Sequence, residues 1–122
     1  EHVMRLGYNG SLINSLSSFL SRKSSEIYIE AIRKTVVKII SKAEILQLIE
    51  ESESSLVQYS TFLETLIVEQ IDREVDLLIS SPKDRLERVL KRSPGLFEHI
   101  PLKYIASYLR MKPETLSRIR NS

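Results

Sequence analysis

Residues 100–121 read Ile100-Pro-Leu-Lys-Tyr-Ile-Ala-Ser-Tyr-Leu-Arg-Met-Lys-Pro-Glu-Thr-Leu-Ser-Arg-Ile-Arg-Asn121, and the spacing of their apolar positions decides the fold. Ile105, Ala106, Leu109, Met111, Leu116 and Ile119 come together if two short helices cross at a tight turn. Ala106 is small where the helices would approach most closely, and Met111 would plug the turn. Leu116 and Ile119, three apart, give the second helix one buried face. Pro113 suits the first turn of that helix, because its φ is fixed and its missing N–H would have no partner there anyway. The outer face then carries Glu114, Ser117, Arg118 and Asn121, polar groups long enough to reach base edges. The pattern predicts a helix-turn-helix whose second helix, 113–121, reads the major groove. The competing reading is a helical hairpin with a solvated outer face.

Charge favours the first reading. The net charge is +2 over 122 residues. From position 83 onward there are ten Lys or Arg against four Asp or Glu, so this segment is +6 and the first 82 residues are −4. A basic segment that coincides with the motif is the footprint expected of phosphate contacts. Hydrophobic residues make up 42% and charged residues 28%, values ordinary for a globular protein. The chain has no cysteine, which excludes disulfides and thiolate metal sites. His2 and His99 have no partner set at metal-ligand spacing, so no metal site is expected. No apolar run approaches the ~20 residues needed to span a bilayer. The N-terminus lacks a signal-peptide pattern. The expectation is a cytoplasmic protein that does not enter the membrane.

Upstream, Gly7-Tyr-Asn-Gly10 reads as a turn and 15–20 as a helical turn. Two β-branched runs, 27–31 (Ile-Tyr-Ile-Glu-Ala) and 35–40 (Thr-Val-Val-Lys-Ile-Ile), predict strands joined at Arg33-Lys34. Two strands alone are marginal in water. Ser41 with Glu44 forms a capping box ahead of a helix that ends near 50–53. The longest element is predicted over 55–80, ~39 Å at 1.5 Å per residue. Its stripe Leu56, Tyr59, Leu63, Ile67, Ile71 and Val75 predicts a homodimer interface. Phe62, Leu66, Val68 and Leu77 add apolar surface that a helix packed on one side would leave exposed. Ser81 as cap and Pro82 at the first position restart the chain as a new helix, making 81–82 a hinge. The sequence holds no nucleophile–base–acid set. Asp72, Glu74 and Asp76 are expected to point around their helix without converging, so no enzyme is expected. Tyr104 and Tyr108 are read as packing groups.

A long helix, a Ser-Pro break, a short helix and a C-terminal helix-turn-helix together resemble the cyclic-AMP receptor protein and fumarate–nitrate regulator family. The resemblance is to its branch in Bacteroidetes-type bacteria and spans roughly 15–122, carried by Pro-Leu-Lys-Tyr-Ile-Ala-Ser-Tyr-Leu at 101–109 and Pro-Glu-Thr-Leu-Ser-Arg-Ile-Arg at 113–120. It implies a mainly α fold with a small β part. In that frame 1–54 is the C-terminal part of a cyclic-nucleotide-binding-like sensor domain, a β-roll remnant. Residues 55–80 form the dimerisation helix, and 81–122 the DNA-binding domain. The chain would be a fragment, or the ordered part of a longer one.

The same resemblance assigns base reading to Glu114 and Arg118, with Ser117 beside them. A carboxylate accepts from cytosine N4 and a guanidinium grips guanine O6 and N7. Lys103, Arg110, Lys112, Thr115 and Arg120 are the candidate phosphate contacts. Arg110 replaces the family's turn glycine and Lys112 its Ser or Thr cap, so strain and a lost cap bond are expected at these two positions. Arg22 with Ser24 or Ser25 is the candidate remnant of the phosphate-binding pocket. The ribose-binding Gly-Glu has no counterpart near 7–11, and Ile71-Asp72 stand where the adenine-contacting Thr-Ser would fall. No cofactor is therefore expected, a cyclic nucleotide being the alternative. The partners expected are double-stranded DNA, a second copy of the chain and RNA polymerase. The alternative function is a ligand-sensing or protein-interaction module whose basic face meets a protein such as RNA polymerase.

Overall fold

The computed structural model describes residues 2–122. The fold is mainly helical. In chain order the described residues form α1 (Leu16–Ser21), α2 (Lys42–Glu51), α3 (Glu53–Leu78), α4 (Pro82–Arg92), α5 (Leu96–His99), α6 (Leu102–Tyr108) and α7 (Pro113–Arg120). They fall into two compact units, Glu1–Ser11 with Leu66–Ser122, and Leu12–Thr65, with the border inside α3.

Helix starts follow local chemistry. The Ser41 hydroxyl accepts from the Glu44 N–H at 3.1 Å, and the Glu44 carboxylate accepts from the Ser41 N–H at 3.1 Å, completing the capping box of α2. Ser52, extended, separates α2 from α3. The Ser81 hydroxyl accepts from the Asp84 N–H at 3.2 Å with Pro82 in the first turn of α4.

The first unit has a core of Leu86, Val89, Leu96, Ile100, Ile105, Ala106, Tyr108, Leu109 and Leu116. Ile105, Ala106, Leu109 and Leu116 are completely buried, and Met111 and Ile119 pack against the cluster. α6 packs on α7 and α5, and α4 packs on α7. The connection between α6 and α7 is a Schellman turn: Met111 N–H donates to the Ala106 carbonyl and Arg110 N–H to that of Ser107. The residue such a turn places in the left-handed region is here Arg110, at φ 58°. α5 is a single turn that the sequence reading did not anticipate.

An N-terminal segment belongs to the same unit although more than fifty residues separate it from α3's second half. Val3, Leu6 and Tyr8 pack against the core. Val3 N–H donates to Ser107 Oγ at 3.1 Å, and the Tyr8 ring stacks on His99 with centroids 4.6 Å apart. The turn read at 7–10 is present, with Ser11 N–H donating to the Tyr8 carbonyl and Gly10 at φ 86°.

The second unit corrects the β-part of the sequence reading. No strand forms at 27–31 or 35–40, nor anywhere among the described residues. Positions 28–41 are all exposed, with Tyr28, Val36 and Ile39 almost fully so. The physical reason is the one noted above: an isolated hairpin is marginal, and the unit supplies no third strand and no apolar face to support it. No residue of 12–65 is fully buried. Its packing consists of Phe19 edge-on to Phe62 at 6.4 Å, Tyr59 against Phe62 at 6.3 Å, and Lys42 Nζ over the Phe19 ring at 5.4 Å.

Candidate nucleic-acid interface

α7 is held from below by Leu116, and its outer residues follow from the helical repeat. Glu114, Arg118 and Asn121 are exposed and Ser117 is half-buried. With Leu102 and Pro113 these four line one shallow, open depression. Lys112 caps the helix without a side-chain hydrogen bond, so the helix's first N–H groups rely on solvent or a ligand. Lys103, Arg110, Lys112 and Arg120 are exposed and Thr115 is half-buried. Two of these cations are partly tethered: Lys103 Nζ lies 4.9 Å from the Tyr104 ring centroid, and the Arg120 guanidinium carbon 4.1 Å from that of Phe97. Tyr108 is buried and Tyr104 half-buried.

A buried polar cluster that the sequence reading missed joins α3 to α4, the helix that packs on α7. Asp76 is completely buried. Its Oδ1 accepts from Arg88 Nε at 2.7 Å and from Arg92 Nη1 at 3.0 Å, and its Oδ2 from Arg92 Nη2. Asp72 Oδ1 accepts from Arg88 Nη2 at 3.1 Å. The expectation that Asp72 and Asp76 diverge is therefore corrected. Four apart, they share one face of α3 and meet on one guanidinium. The hydrogen bonds that Arg92 donates to Asp76 raise the Arg92 pKa above its ordinary value, outweighing burial. Arg85 links the break after α3 to the turn before α7. Its Nε and Nη2 donate to the Ile79 carbonyl at 3.0 and 2.7 Å, and its Nη1 donates to the Leu109 carbonyl at 2.5 Å. Both acceptors are helix-end carbonyls without an intrahelical partner. The signal that could have found the cluster is a spacing: Arg85, Arg88 and Arg92 fall at i, i+3 and i+7, one face of α4.

On the part of α3 inside this unit the usual amphipathy is inverted. The packed side is Leu66, Arg73 and Asp76, all buried, whereas Ile67, Ile71 and Val75 are 53%, 52% and 36% exposed. Val68 and Leu78 are also exposed. In the other unit Leu56 is exposed, and Tyr59 and Leu63 are half-buried.

Arg22 ends α1 at φ 63° and lines an open cleft with Phe19, Lys42 and Glu50, in which Ser24 and Ser25 take no part. Ser25 Oγ instead donates locally, to Ser15 Oγ or the Ile27 carbonyl. Among the described residues no three His, Cys, Asp or Glu side chains cluster as metal ligands would, and no helix is long and apolar enough to cross a membrane.

The chain matches no protein-family profile, and no curated protein or solved structure is detectably similar to it.

Proposed function

We propose that the chain is a sequence-specific DNA-binding transcription regulator of the cyclic-AMP receptor protein and fumarate–nitrate regulator family, acting as a homodimer in the cytoplasm. In this reading α6 and α7 are a helix-turn-helix and α7 enters the major groove. The observation that carries the proposal is the division of α7: Leu116 is completely buried, while Glu114 and Arg118 stand exposed on the outer face. Arg118 grips a guanine edge and Glu114 accepts from a cytosine amino group. Lys103, Arg110, Lys112 and Arg120 neutralise backbone phosphates, with Thr115 as a hydroxyl contact. Eight such cations in a dimer make affinity fall by about 10³–10⁵ between 50 and 200 mM salt.

The exposed apolar face of α3 supports the dimer. Ile67, Ile71 and Val75 lie four residues apart in one line, and a second copy of the same helix is the self-complementary partner a two-fold axis requires. Two recognition helices would then enter successive major grooves about 34 Å apart. RNA polymerase is the further partner through which such a regulator acts.

Selection from random duplexes at ~0.15 M salt, a physiological ionic strength, tests the proposal. A two-fold symmetric motif, weakened by Arg118→Ala and Glu114→Ala, is the expected result. Recovery of salt-sensitive binding without a motif would overturn base reading, leaving a protein-directed basic face in its place.

A further inference from the structure

Arg73 is 5% exposed. Its guanidinium carbon sits 3.7 Å from the centroid of the Tyr108 ring. Nη2 reaches the Val3 carbonyl at a long 3.5 Å, and Nη1 is buried with no hydrogen-bond partner. Two neighbouring acceptors on the same face of α3 are already used. Three residues before, Gln70 Oε1 accepts from Arg5 Nη2 at 2.5 Å. Three residues after, Asp76 is taken by Arg88 and Arg92. Arg5 lies two residues beyond Val3, and Arg110 two residues beyond Tyr108, and both are exposed. Burial holds the Arg73 pKa below its ordinary value, with Arg110 and Arg5 pushing the same way against Tyr108 and Asp76. Arg5 and Arg110 thus bring two further guanidinium groups close enough to act on Arg73.

A buried cation with an unmet donor is costly. An arginine fork matches the oxygens of a phosphate or a carboxylate bidentately, and a phosphate, with more than two acceptor oxygens, can meet several guanidinium groups at once. We propose that Arg73, with Arg5 and Arg110 beside it, forms a phosphate-binding site beneath the N-terminal segment. The phosphate supplies the acceptor that Arg73 Nη1 lacks and draws Arg5 from Gln70. Residues 2–5 shift to admit it, giving up the Val3–Ser107 hydrogen bond, the Arg5–Gln70 hydrogen bond, the long Arg73–Val3 contact and the packing of Val3 against the core. The chemistry is the same for an inorganic phosphate ion and for a DNA backbone phosphate reached past Arg110.

The test titrates the full chain with sodium phosphate against sodium chloride at constant ionic strength, following melting temperature. A saturable rise specific to phosphate is expected. It should vanish in Arg73→Met, which keeps an apolar stem over Tyr108, and its midpoint should move to about tenfold higher phosphate in Arg5→Gln, as loss of one charge-assisted contact implies. A second arm measures binding to a 20-base-pair duplex. Competition by phosphate, with a salt slope about one unit shallower in Arg73→Met, identifies a backbone phosphate as the ligand. Duplex binding indifferent to phosphate, together with the thermal response, identifies the free ion. Absence of a phosphate-specific response in both arms overturns the site, as does the same response in Arg73→Met. Should Arg73→Met fail to fold, Arg5→Gln and Arg110→Gln at exposed positions decide, and unchanged midpoints in both overturn it. Neither arm needs base reading, so the operator selection stands or falls separately.

Discussion

Replacing Asp76 by alanine should be among the most damaging single changes in the first unit. The carboxylate is completely buried and is the common acceptor of Arg88 and Arg92. Removing one partner of a buried ion pair costs ~3–5 kcal/mol, because the charge left behind is unpaired. Arg88 and Arg92 retain 33% and 31% side-chain exposure, so both can turn partly into water, and Arg88 keeps Asp72. That places the loss at the lower end, about 3 kcal/mol. With about 4 °C of melting temperature per kcal/mol for a chain of this size, the midpoint should fall by roughly 12 °C. Thermal unfolding followed by circular dichroism measures the midpoint, and urea unfolding the free energy. Asp72→Ala is the internal control. Its pair with Arg88 is one-third exposed on both sides, so its loss should stay within ~1 kcal/mol. A triple change of Asp76, Arg88 and Arg92 to Leu, Met and Met should recover most of the stability lost by Asp76→Ala, since an apolar replacement of a buried ionic group is often neutral. Equal effects of Asp76→Ala and Asp72→Ala, or a loss below about 1 kcal/mol for the former, would refute the assignment of Asp76 as the centre of the cluster.

Arg118→Ala should leave stability within ~0.5 kcal/mol, because the side chain is exposed, yet remove ~1–3 kcal/mol of discrimination at one base pair, read by competition with mismatched duplexes. Arg110→Gly should raise stability by about 1 kcal/mol in urea unfolding, since glycine carries no penalty at φ 58°. The same substitution should make the salt dependence of DNA binding shallower by about one unit per protomer, measured from 50 to 200 mM salt. Ile71→Glu places a charge on the exposed apolar line of α3 and should weaken self-association by at least about tenfold in sedimentation equilibrium, with the helical circular dichroism signal of the monomer unchanged.

Several elements are readable without coordinates because their causes are local. Ser41 with Glu44, and Ser81 with Pro82, name two helix starts by side-chain chemistry that acts within four residues. The uninterrupted stretch after Ser52 extends as α3 because nothing in it breaks a helix. The spacing of Leu116 and Ile119 already determines which residues of α7 face outward, so the shared exposure of Glu114 and Arg118 follows from the helical repeat alone. Arg110 at a left-handed position was anticipated only through the resemblance, which puts a turn glycine there, and its φ is 58°.

What tertiary structure alone decided depends on partners distant in sequence. The β-branched runs at 27–31 and 35–40 have the composition of strands, but a strand exists only through a neighbour that accepts its hydrogen bonds, and none is present. Asp72 and Asp76 look like solvated helix charges until α4 folds back and brings Arg88 and Arg92 to them. The face of α3 that composition marks as the one to bury, Ile67, Ile71 and Val75, is the face left open, and the face with Arg73 and Asp76 is the one covered. Local pattern states what a helix can bury. Only the arrangement of the other helices, and of Val3 lying across Arg73, determines what it does bury.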